Sequence, residues 1–351
     1  MSQQPPQPPS PSAAWPSRAL HYVVPFRARA AAVCAPGLAL ILGTGVVLDH
    51  PLEGAVAAGA AFSVGFGAHR DFRGTRWAAM AGAALGMTVA AFMGSLLGNW
   101  PWPYIATSSA IGALVAWLAL HDENVWWIAL QCAIAFFVAG SFAGSLDDAL
   151  LRGAIVAAGG IVQMIAVTIL RPLIMPELPP LVPRVSPDRP SLLQSHVIRA
   201  AISVALATIA SHRLGLFNGH WAPMTALLVL KPGLRDTHTR GLARLAGTVG
   251  GCAAASVFAA LVPERLFVLV IVGSIAAWFA YALLKAHYAA FTAAVTATVV
   301  MLVAVGGVSE FEAAESRIGA TLVGGAVALI VAYLGRKRPP FWPKTEDRLG
   351  A

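Results

Sequence analysis

Residues 150–171 read LLRGAIVAAGGIVQMIAVTILR, and residues 315–336 read ESRIGATLVGGAVALIVAYLGR. Between Arg152 and Arg171 the only polar side chains are Gln163 and Thr168. An uncharged apolar stretch of about 18 residues or more is long enough to cross a bilayer as a helix. The two stretches align without a gap at an offset of 165, which sets Arg152 on Arg317, Gly159-Gly160 on Gly324-Gly325 and Arg171 on Arg336. An apolar helix bounded by basic residues, present twice, predicts a membrane protein built by duplication.

The whole composition agrees. Of 351 residues, 58% are hydrophobic and only 11% charged, with a mean hydropathy of +0.71. A soluble domain carries about 25% charged residues. A soluble enzyme, a disordered chain and a disulfide scaffold are all excluded on this ground. Cys34, Cys132 and Cys252 lie in apolar runs with no ligand spacing, so neither a zinc site nor a disulfide framework is expected.

Outward from the two quoted stretches, apolar runs mark helices near 30–48, 53–69, 77–98, 104–120, 125–144 and 150–170 in the first half. In the second half they fall near 196–212, 218–231, 242–262, 266–284, 288–307 and 316–335. The expected fold is an all-α polytopic membrane protein of two parallel six-helix repeats with about 12 spans. Residues 1–26 form a Pro-rich cytoplasmic tail, whose composition cannot pack. It has no apolar run before a cleavage site, so it does not read as a signal peptide. Residues 27–171 are the first repeat, 172–194 a Pro-rich linker, 195–336 the second repeat and 337–351 a basic tail.

The net charge of +8 follows topology rather than nucleic acid. With the N-terminus in the cytoplasm, only Arg152, Arg213, Arg265 and Arg317 of the 24 Lys and Arg fall outside. Cytoplasmic loops carry such an excess of Lys and Arg. The asymmetry places both termini on the cytoplasmic face of a bacterial-type inner membrane. It also supports the short second and eighth spans, because removing either would put its Arg cluster on the wrong side.

The offset of 165 recurs beyond the quoted stretches. It pairs Arg70-Asp71 with Arg235-Asp236, Gly54 with Gly219, Gly82 with Gly247, Gly86 with Gly251, and Asp147 with Glu312. Arg76 and Arg240 correspond one residue off. An even number of spans in each half makes the repeats parallel, related by an axis along the membrane normal.

The densest polar segment runs from Asn218 to Gly251. Asp236 or Thr237 is placed to cap a helix there. Arg240 and Arg244 then lie one turn apart on one face. Cations at a helix N-terminus oppose its dipole. Either topology and lipid phosphates account for them, or an anion sits between them and the first-turn N–H groups. Arg152 and Arg317 either snorkel to the outer headgroups and pair with Asp147 and Glu312, or ring the outer end of an anion path. Gly82-x-x-x-Gly86 and Gly247-x-x-x-Gly251 allow close helix packing. Trp100-Pro101-Trp102-Pro103 reads as an interfacial aromatic belt, and His121-Asp122-Glu123 as a solvated turn.

The segment resembles the FUSC family, the fusaric-acid-resistance-like and aromatic acid exporter proteins. That family carries a Trp and a Thr on a short helix, then Pro and a basic turn, then Arg and Gly-Thr-x-x-Gly. The matching positions are Trp221, Thr225, Pro232, Arg240, Arg244, Gly247, Thr248 and Gly251. The first half matches at Arg73, Arg76, Gly82 and Gly86 and lacks the Trp and the Gly-Thr. Many members carry a large soluble domain between the bundles, and none interrupts this sequence. The resemblance implies export or permeation of organic anions, with aromatic carboxylates among them. It makes Arg240, Arg244, Arg76, Arg152, Arg317, Trp221 and Thr225 candidates for the anion path.

The chain holds no GxxxxGK[ST], HExxH or GxSxG. No enzyme activity, cofactor or metal is therefore expected, and energy would come from a proton gradient or the path would be passive. The scarcity of mid-span acids favours a channel-like path. Expected partners are membrane lipids and a small organic anion, with further copies of the chain compatible and nucleic acid not expected. The alternative is a non-transporting scaffold that binds lipids or proteins through its basic cytoplasmic rim.

Overall fold

A computed structural model describes residues 26–70, 72, 75–174, 190–261 and 266–335. The N-terminal tail up to residue 25, Arg73, most of the linker, Arg265, Arg336 and the C-terminal tail lie outside the described residues. Those described form twelve α-helices and no named strand. In the first half these are α1 (Ala28–Val47), α2 (Pro51–Gly65), α3 (Arg76–Leu97), α4 (Pro101–Leu118), α5 (Glu123–Gly140) and α6 (Leu146–Ile174). In the second half they are α7 (Pro190–Arg213), α8 (Trp221–Val229), α9 (Leu234–Leu261), α10 (Leu266–Ala282), α11 (Tyr288–Val305) and α12 (Glu310–Leu334). Seven of them, α1, α3, α5, α6, α9, α11 and α12, are long and apolar enough to cross a membrane by length and composition. The molecule is an all-α, multi-pass membrane protein.

Local chemistry sets the helix ends. Pro51 and Pro101 open α2 and α4 at a position where the missing N–H costs nothing. The Asp122 carboxylate accepts from the N–H groups of Asn124 and Val125 and caps α5. Ser309 caps α12 by accepting from Glu312 N–H at 3.2 Å. Two expectations change. The linker of residues 172–194 shortens at both ends, because α6 continues to Ile174 and α7 begins at Pro190. Helix α9 starts at Leu234, so Thr237 does not cap it. Its hydroxyl instead accepts from Lys231 N–H at 2.9 Å and donates to Gly233 O at 2.8 Å, which ties the preceding turn to the helix.

The lipid face is visible on α6. Ile161, Ile165 and Ile169 are 54%, 53% and 58% exposed at four-residue steps, while Val156, Gly159, Gly160, Gln163 and Val167 are buried. Four-residue steps keep a helix face. An apolar stripe this long would be unstable in water and fits hydrocarbon. Helix α10 repeats the pattern with Phe267, Ile271 and Ile275.

The two halves pack by one scheme. Helix α3 packs on α5 and α6, and α9 packs on α11 and α12. Helix α6 lies against α1 and α2, and α12 against α7 and α8. Between halves the pairing is exchanged: α4 packs on α7 and α10 on α1, while α2 meets α11 and α8 meets α5. Small residues set these approaches. Gly82 and Gly86 face Ile128 and Cys132, so α3 and α5 run parallel. Gly247 and Gly251 face Ala289 and Ala293, so α9 and α11 do the same. Gly159 lies against the carbonyl of Ala57, and Gly324 against that of Ala222, the positions 165 residues on in each case.

Polar contacts lock the exchanged interfaces. Tyr281 donates its hydroxyl to Phe62 O at 2.9 Å, and Arg27 N–H donates to Ala282 O at 2.9 Å. Ser109 donates to Ala201 O at 3.1 Å on the other side. Buried hydroxyls and amides must find such partners where no water reaches them.

Candidate anion cavity

A cavity of about 1190 Å³ lies between the halves. Helices α2, α5, α7, α8 and α11 supply just over half of its lining residues. Along α11 its lining runs from Tyr288 to Val303, about 22 Å at 1.5 Å per residue. Its middle is apolar, with Leu130, Ile134, Leu227, Val295 and Val299. Its charged lining is Arg70, Arg152, Lys231, Arg240, Arg244 and Arg317, and no Asp or Glu among the described residues lines it.

One basic group gathers near the start of α11. The Arg240 guanidinium lies 3.2 Å from the centroid of the Tyr288 ring, and Arg244 sits beside the same phenol. Arg244 is 6% exposed, and neither its Nε nor that of Arg240 has a hydrogen-bond partner. Lys231, in the turn before α9, completes this group. Arg70 lies in the turn before α3. It stacks over Trp127 at 5.2 Å and pairs with Glu123 at 3.9 Å. Burial lowers the Arg70 pKa, and the Glu123 carboxylate opposes that shift.

Arg317 stands further along. It is 2% exposed and donates from Nη2 to Thr296 Oγ1 at 3.3 Å. Its guanidinium lies 3.6 Å from the Trp221 ring centroid, a cation–π contact. Its Nε and Nη1 have no partner. Arg152 is half-buried and lies 4.6 Å over the Phe142 ring. His220 and Ser141, one from each half, share a 2.7 Å hydrogen bond on the cavity wall.

Residues 204–331 match the family model described as fusaric acid resistance protein-like. These residues are similar to that family. The matched segment begins inside α7 and ends inside α12. It therefore contains Trp221, Lys231, Arg240, Arg244, Tyr288, Thr296 and Arg317. No curated protein and no solved structure matches the chain. The family match and the apolar helices together mark a multi-pass membrane protein.

The structure brings Arg240, Arg244, Arg152, Arg317 and Trp221 to one cavity. It does not bring Thr225 there. That side chain is buried against Gly324 of α12, and its hydroxyl has no partner. Arg76 is the first residue of α3, and its side chain lies outside the described residues. Gly82, Gly86, Gly247 and Gly251 sit at helix contacts rather than on the cavity. Sequence reading passed over Tyr288 and Thr296. Their signal was the polar series Tyr288, Thr292, Thr296 at four-residue steps on a largely apolar helix.

Proposed function

We propose that the chain conducts organic anions through the cavity between its halves. The observation that carries this reading is the lining: five Arg and one Lys, with no carboxylate among the described residues there, around an apolar middle. Basic rings favour anions in a pore. A bare inorganic ion would cross the apolar stretch at high cost, whereas an organic anion offsets that cost with its own apolar surface. Carboxylates with an aromatic body suit the Trp and Tyr rings beside Arg317 and Arg240.

Purified protein in liposomes should give saturable flux of such acids above that of protein-free vesicles. Aromatic acids should compete better than acetate. Absence of flux from folded protein would replace this reading with that of a membrane scaffold.

The same reading takes the halves as parallel repeats with twelve crossings and both termini in the cytoplasm of an inner-membrane protein. The matched packing scheme and the shared offset in the Gly159 and Gly324 contacts support the duplication. The Lys and Arg asymmetry supports the orientation. In a cysteine-free background, Cys at the exposed positions Asn99 and Ser145 should react with a membrane-impermeant maleimide added to intact cells. Cys at Thr75 or Thr239 should react only after permeabilisation. Labelling of Thr239 from outside would mean that α8 does not carry the chain across.

A further inference from the structure

The second half carries a polar tract that the first half lacks. On α9, Arg240, Arg244 and Thr248 follow at four-residue steps; on α11, Tyr288, Thr292 and Thr296 do the same. Such steps hold side chains on one helix face. Subtracting the offset of 165 turns the first set into Thr75, Ala79 and Ala83, and the second into Glu123, Trp127 and Gln131. Trp221 becomes Val56. Apart from Arg76, one residue off the place of Arg240, only Arg317 keeps its type, as Arg152, and the two sit differently. Arg152 is half-buried and feels the carboxylates of Glu53 and Asp148. Arg317 is 2% exposed, and the nearby cation acting on it is Arg244. Among the described residues no carboxylate pairs with Arg317 or Arg244.

A buried cation needs a counter-charge. None comes from the described residues, while both guanidiniums line the cavity and keep free N–H groups. We infer that one anion-binding site lies inside the second half, off the axis between the halves. It is formed by Arg244 and Arg317, with Trp221 as its wall and Thr296 holding Arg317 from behind. The first half closes the cavity without binding. The site takes an oxyanion, a carboxylate or a phosphate, because the guanidinium fork matches two oxygens. This placement rests on the anion-path reading and assigns the path to one half.

The matched variants Arg317→Gln and Arg152→Gln test it. Purified protein in nanodiscs of phosphatidylcholine alone is titrated with benzoate and with inorganic phosphate, followed by calorimetry. The exposed Arg213→Gln should bind within twofold of wild type, and Arg152→Gln should lose no more than about threefold. Arg317→Gln should lose tenfold or more in affinity, and Arg317→Lys should recover part of it. Without anion, Arg317→Gln should melt no lower than wild type, because it removes an uncompensated buried charge. In nanodiscs with added phosphatidylglycerol, a melting-temperature rise that Arg317→Gln abolishes, with no benzoate binding, would identify a lipid phosphate as the oxyanion at the same site.

Equal losses in both variants would place the site on the shared axis and overturn the inference, as would no loss in either. Thr296→Val keeps the charge and should weaken binding in a folded protein. Unfolding of both Arg317→Gln and Thr296→Val would make Arg317 a structural cation and overturn the site. Binding by wild type without flux in liposomes would remove the transport reading and leave the site standing.

Discussion

Replacing Arg240 and Arg244 together by Gln is expected to cut anion flux by about tenfold or more, since each charge-assisted hydrogen bond contributes roughly 1.5–3 kcal/mol and about 1.4 kcal/mol is a factor of ten. The pair stands where the cavity meets the start of α11, with Lys231 the nearest remaining cation of that group. The double variant should still insert, because Lys231 and Arg235 keep the turn basic. Lys at both positions should restore part of the flux but none of the bidentate geometry. The checks are initial rate against substrate concentration, with membrane yield and melting temperature measured alongside. Unchanged flux would return both residues to a purely topological role.

Valine at Gly159 and at Gly324 should destabilise the protein to a similar and large extent, about 1–3 kcal/mol or more each as overpacking in a close-packed interior. Each added side chain would meet a backbone carbonyl, that of Ala57 in one half and that of Ala222 in the other. A backbone atom cannot swing aside as a side chain can. Helices α2 and α6 would have to part, as would α8 and α12. Glycine at Gly325 offers the control, since a Cβ there meets nothing within 4 Å and Gly325→Ala should be neutral. Melting curves in detergent read all three. A large loss at only one of the two paired glycines would argue against equivalent packing in the two halves.

The helices were legible because hydropathy and charge both change where an apolar run ends. The ends were less so, and each miss has a cause. Helix α9 begins eight residues before its apolar run, because its first two turns carry Arg235, Asp236, His238 and Arg240. Apolarity fades there while the helix continues. Residues 218–231 read as one span, yet only Trp221–Val229 is helical. A segment buried on every side is apolar whether coiled or extended, so periodicity cannot tell the two apart. Pro223 fits near the start of α8, where the first N–H groups have no intrahelical partner.

The site divides in the same way. Arg240 and Arg244 were legible from spacing within one helix. Their meeting with Tyr288, and that of Arg317 with Trp221 and Thr296, depends on how four helices pack, and no local pattern carries it. Thr225 shows the converse. Four residues from Trp221, it shares a helix face in projection, yet Trp221 lines the cavity and Thr225 turns to the contact with Gly324.

Helix α8 has a consequence for how the chain is made. Nine residues rise only about 14 Å, against about 30 Å of hydrocarbon. Eight of them are buried, and they pack on α7 and α12. A nascent segment this short, with unpaired peptide groups at both ends, cannot partition into lipid by itself. Its walls include α12, which leaves the ribosome about eighty residues later. Biogenesis of the second half therefore runs out of order. Helix α8 stays shallow until α12 arrives, and a chain cut after α11 would leave it outside the membrane.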